Sequence, residues 1–73
     1  MPRISDRQRI AQDIRNKIAS GEYKPGDKLP SLRELIAIYD VSAEPVRSAL
    51  LILQAEGLLE GHQGKGVYVT DPK

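Results

Sequence analysis

The chain has 73 residues, a net charge of only +1 and no cysteine. It is long enough for one small domain spanning residues 1–73, and too short for a deep catalytic pocket between domains. Its composition, 40% hydrophobic and 29% charged, is that of a folded domain rather than a disordered tail, and cysteine-based staples are excluded.

No apolar run approaches the roughly 20 residues needed to span a bilayer. The opening Met1-Pro2-Arg3-Ile4-Ser5 lacks the apolar stretch of a signal peptide. Both features, with the missing cysteines, point to a soluble protein in the cytoplasm. Charge alone gives no support to nucleic-acid binding, so any such case rests on pattern and on local patches.

The first predicted element is a helix from Asp6 to Ser20. Ser5 with Gln8 three residues on forms a capping box. Ile10, Ile14 and Ile18, with Ala11 beside them, recur at helical spacing on one face. Gly21 then fits the left-handed position that ends a helix. Pro25-Gly26 marks a turn. Lys28-Leu29 is at most a very short strand, stopped by Pro30.

A second helix begins at Ser31, which pairs with Glu34 as another capping box, and carries Leu35, Ile36 and Tyr39 on its apolar face. Asp40-Val41 breaks the pattern. Ser42 offers a further N-cap, and Pro45 fits only in a first helical turn. The third helix therefore runs over about 43–56, with Val46, Ala49, Leu50 and Leu53 buried and Gly57 at its end. Leu58–His62 and Val67–Thr70 read as two strands, joined by a Gly-bearing loop over 63–66. Asp71-Pro72-Lys73 reads as the start of a linker.

This order gives an α+β, mainly α, fold: a winged helix-turn-helix of three helices with a C-terminal β-hairpin wing. Only about three residues, Asp40 to Ser42, separate the two middle helices, which is helix-turn-helix spacing. A helix fits the major groove, and its first turns reach base edges. If the third helix buries Val46, Ala49, Leu50 and Leu53, it presents Ala43, Glu44, Arg47 and Ser48 outward. Arg47 is suited to a bidentate contact with guanine or to a phosphate. The competing reading is a solvated surface arginine.

Arg33 lies in the first turn of the second helix, placed for a phosphate or a base edge, or simply exposed. Ser31 and Ser42 read first as caps, although the N-termini they cap also favour phosphates. The tip Gln63-Gly64-Lys65-Gly66 permits close backbone approach and supplies one cation, which suits the minor groove; a plain hairpin turn is the alternative. His62, the sole histidine, has no partner set for a metal and reads as a wing residue near DNA or as simply exposed. No catalytic grouping, cofactor motif or metal site is legible.

Considered together, these residues resemble the GntR family of bacterial regulators. The resemblance runs through Ile18-Ala-Ser-Gly-Glu-Tyr-Lys-Pro-Gly-Asp-Lys-Leu-Pro-Ser31, then Arg33-Glu34-Leu35, Val41-Ser42, Val46-Arg47, Ala49-Leu50, Leu53, Glu56-Gly57 and Gly64-Lys65-Gly66. It covers about residues 10–69. It implies a double-stranded operator with two half-sites, a homodimer, and a C-terminal domain that binds a small-molecule effector and is missing from this chain. It also implies DNA contacts from Arg33 and Arg47, with Gln63 to Gly66 as the wing tip; the wing as a whole, residues 62–67, is expected at the minor groove. Two departures stand out: Ala43 follows Val-Ser where the family often has Arg, and Leu32 follows Pro-Ser where it often has Glu. Glu44 would repel phosphates yet can accept from a cytosine amino group. Leu32 and Ile38 look apolar and exposed, either as core or as surfaces for the missing domain or a second protomer. The rival reading is a winged helix that binds protein instead, motivated by the small charge, Ala43, Glu44 and Leu32.

Overall fold

The computed structural model describes residues 4–71; the readings placed on Met1–Arg3 and on Pro72–Lys73 lie outside them. Three helices, α1 (Asp6–Ser20), α2 (Leu32–Tyr39) and α3 (Ala43–Ala55), precede an antiparallel hairpin of β1 (Leu59–His62) and β2 (Gly66–Val69).

Local chemistry sets each helix boundary. Ser5 and Gln8 close the expected capping box of α1, and Gly21 ends it in the left-handed region at φ 88°. Ser31 and Glu34 close a second box on α2 at 3.1 and 2.8 Å. Asp40 terminates α2 at φ 54°, a conformation that Asp tolerates better than most residues. The helix-turn-helix connection is thus Asp40, Val41 and Ser42, as the spacing implies. At the end of α3, the Gly57 N–H donates to Gln54 O and the Leu58 N–H to Leu53 O, a Schellman closure around a left-handed glycine. That closure takes Leu58 out of the strand where the sequence placed it.

Ser42 departs from expectation. It occupies the N-cap position of α3, yet its side chain makes no cap hydrogen bond. A cap hydroxyl accepts from the N–H of the second or third helical residue, and the third residue here is Pro45, which has no N–H.

One core joins all elements. Ile10, Ala11 and Ile14 of α1, Leu35 of α2, Val46, Ala49, Leu50 and Leu53 of α3, and Leu59, Val69 and Leu29 are buried. Each large aliphatic side chain sealed this way stabilises the fold by about 1.5–3 kcal/mol before entropy is counted. Leu32 packs half-buried against this core, which resolves it as fringe core. Ile38 stays 55% exposed.

The hairpin has company. Register runs Leu59↔Val69, Glu60↔Tyr68, Gly61↔Val67 and His62↔Gly66, so the turn holds three residues, 63–65, and Gly66 belongs to β2 rather than to the loop. The segment 26–29 lies along the other side of β2: Gly26 N–H to Val69 O, Val69 N–H to Asp27 O and Leu29 N–H to Val67 O measure 2.9, 2.8 and 2.8 Å. This short extended segment, bridged to β2 at Lys28↔Tyr68 where the sequence allowed at most a very short strand, ties the wing to the start of α2.

Two polar links fasten α1 to its neighbours. The Tyr39 hydroxyl donates to Asp13 at 2.7 Å; partial burial, followed by that carboxylate, pushes its pKa above the ordinary tyrosine value. Arg15 reaches Glu56 just beyond α3.

Candidate nucleic-acid interface

The residues singled out from sequence occupy three places that the fold sets side by side: the N-terminus of α2, the N-terminal half of α3, and the hairpin tip. At α2, Ser31 is the N-cap and Arg33 is exposed in the first turn. The Ser31 backbone N–H, and then its hydroxyl, hold the Glu34 carboxyl below its usual range, so an anion sits one residue from Arg33.

On α3, Glu44 and Arg47 are exposed, whereas Ala43 and Ser48 are half-buried. The outward face expected from sequence is therefore narrower. Ala43 lies seven residues before Leu50 and shares its side of the helix; Leu50 is turned to the core. The face gains a residue that sequence reading missed: Leu51, one turn beyond Arg47, is 64% exposed. Its signal was the gap it leaves in the buried set Val46, Ala49, Leu50 and Leu53.

The wing tip is open. Gln63, Gly64, Lys65 and Gly66 are all exposed, and Gly64 takes φ 78° while the Lys65 N–H returns to His62 O at 2.9 Å. A side chain at residue 64 would strain this turn. His62 contacts Glu60 through Nε2 at 2.9 Å and meets the Tyr68 ring edge-on at 4.9 Å between centroids. It braces the outer face of the hairpin instead of standing free. Among the described residues, no three His, Cys, Asp or Glu side chains group to hold a metal ion.

Ion pairing divides the cations of the described residues. Arg9 pairs with Asp6, Arg15 with Glu56, and Lys17 with Asp13 and Glu22. Arg33, Arg47 and Lys65 enter no ion pair among the described residues, nor do Arg7, Lys24 and Lys28. The helix-turn-helix and the wing thus present charge that the protein does not neutralise itself. A separate groove, lined by Ile4, Gln8, Ala11, Gln12, Arg15 and Ile52, includes none of these residues.

Comparison with known proteins agrees with this geometry. The family model for bacterial regulatory proteins of the gntR family matches residues 6–69. The chain is 41% identical over 64 residues to the Uxu operon transcriptional regulator of Escherichia coli (strain K12), covering 88% of this chain and 25% of that protein. It is 41% identical over 66 residues to the histidine utilization repressor of Klebsiella aerogenes, covering 90% of this chain and 27% of that one. It therefore spans about a quarter of the length of these curated relatives. The crystal structure of AraR(DBD) in complex with operator ORX1 is similar at a TM-score of 0.90 and 29% identity, over 93% of this chain and 82% of that chain. The chain belongs to the GntR family of bacterial regulatory proteins, and residues 6–69 are its helix-turn-helix DNA-binding domain.

Proposed function

We propose that this domain carries a ligand-responsive bacterial transcriptional regulator, acting as a repressor in the cytoplasm, to its operator. The observation that carries the proposal is the set of unpaired, exposed Arg33, Arg47 and Lys65 at the three places where a winged helix meets a duplex.

The first half of α3 enters the major groove, where Arg47 addresses a guanine edge. Arg33, at the start of α2, takes a backbone phosphate or a neighbouring base edge. The unused Ser42 hydroxyl and the α3 N-terminus beside it lie toward the phosphates. Glu44 accepts from a cytosine amino group and penalises other bases by repulsion. The wing, residues 62–67, rests at the minor groove with Lys65 on the backbone.

The relatives' names support a regulator, and one of them a repressor; the operator complex of a structural neighbour supports the target. We further propose that the full regulator is a homodimer on two half-sites, with its effector bound by a C-terminal domain. On that reading this domain alone is monomeric and holds a single half-site weakly.

The test is a titration at several salt concentrations against the duplex found upstream of the regulator's own gene, beside a scrambled duplex. Tighter binding to the first, falling steeply with salt, is expected. Equal, weak binding to both, with residues 31–66 unmoved in a chemical-shift map, would replace the proposal with a protein-binding winged helix.

A further inference from the structure

A lysine outside the sequence-derived set stands in the cleft between the wing and α2. Lys28 pairs with Tyr68 of β2 in an isolated antiparallel bridge. Residues opposite each other in an antiparallel pair share a face, so Lys28 emerges on the outer face of the wing with Tyr68. Its stem then crosses diagonally over Gly66: a Cβ built on Gly66 would meet Lys28 Cε at 2.9 Å and Nζ at 3.8 Å. The missing side chain at residue 66 is what lets the lysine lie there.

Lys28 and Lys65 line the same cleft, whose walls include Leu32, Leu50 and Val67. Neither lysine has an ion-pair partner among the described residues. Glu34 lies within Coulombic reach of Lys28, but its carboxylate accepts from the Ser31 N–H at 2.8 Å. Two lysines without ion-pair partners line this cleft, and low-dielectric walls strengthen the positive field they make there.

We propose that Lys28 is a further phosphate-binding residue of the interface: it takes a backbone phosphate of duplex DNA of its own at the cleft between wing and α2, beside the one met by Lys65. This rests on the DNA-binding reading above and adds a contact that the helix-turn-helix pattern does not supply. The phosphate contact fixes register on the duplex and reads no base.

The test uses the 73-residue chain and two duplexes of unrelated sequence, titrated between about 50 and 200 mM salt, the range over which phosphate contacts dominate the change in affinity. Lys28→Met keeps the stem over Gly66 and removes the charge; Lys28→Arg keeps the charge. For Lys28→Met, the slope of log affinity against log salt is expected to become shallower by about 0.9, a roughly 3.5-fold smaller loss of affinity across that range. The change is expected to be equal on both duplexes and absent in Lys28→Arg. A Lys28→Met slope equal to wild type, while Lys65→Ala lowers it, would overturn the proposal and leave the DNA-binding reading intact. A loss confined to one duplex would make Lys28 a base reader and also overturn it. No salt-dependent binding by the wild-type chain would remove both readings together.

Discussion

Arg15 forks onto Glu56, with Nε and Nη2 donating to the two carboxylate oxygens at 3.0 and 2.7 Å. The pair spans 41 residues of sequence and joins the middle of α1 to the residue that caps α3. Gln12 accepts from the remaining Nη1 at 2.7 Å, so the guanidinium is held on three sides.

Both side chains are partly exposed, at 33% and 40%, which screens the pair, although paired donors are the stronger kind of surface bridge. Arg15→Ala is expected to cost about 1 kcal/mol, a fall in Tm of roughly 4–8 °C for a domain of this size. Thermal melts of Arg15→Ala, Glu56→Ala and the double variant check it. Additive losses would show that the two residues do not stabilise each other.

Arg47→Ala is expected to lower affinity for the cognate duplex by about 1–3 kcal/mol while affinity for scrambled DNA changes far less. Competition titration measures the ratio of the two. A uniform loss on both duplexes would assign Arg47 to a phosphate.

Leu53 is fully buried at the centre of α3's inner face, the side opposite Arg47 and Leu51. Leu53→Ala is expected to destabilise the domain by about 2–5 kcal/mol, a large share of what so small a fold possesses. Urea denaturation followed by circular dichroism gives the value. A loss under about 1 kcal/mol would mean that the helices close over the cavity.

Glu34 supplies a pH dependence. Its pKa is lowered in the folded protein by the Ser31 N–H and hydroxyl, so its ionised form favours folding. That contribution is complete above the unfolded value of about 4.3 and disappears as pH falls through the lowered folded value. Glu34→Gln is expected to be less stable than wild type near neutrality, with the difference closing on acidification below about pH 4. Melts across the acid range decide it; a difference that persists in acid would assign the effect to side-chain packing.

The helices were legible because short-range rules govern them. The apolar spacing of Ile10 and Ile14, the Ser5 and Ser31 boxes and the three-residue turn all appear where the sequence places them. Ser42 was read as a capping side chain, and its hydroxyl makes no cap bond; Pro45 removes one of the two N–H groups it could have used. What sequence could not supply depends on tertiary geometry. The pairing of residues 26–29 with β2 is a long-range ladder with no local period. The half-burial of Ala43 follows from how far α3 rolls onto the core. Gly66 reads as loop until its opposite number His62 is known. For the same reason Lys28 carried no signal, being visible only once its strand had a partner.

The short strand over residues 26–29 also has a mechanical meaning. It is hydrogen-bonded to β2 and continues through Pro30 directly into the Ser31 cap of α2, so one short segment couples the wing to that helix. The separation between them is then set by the protein's own hydrogen bonds. On the proposed binding mode, a duplex that meets both bends or narrows its groove to that gauge, and base steps touched by neither element are selected by how readily they deform.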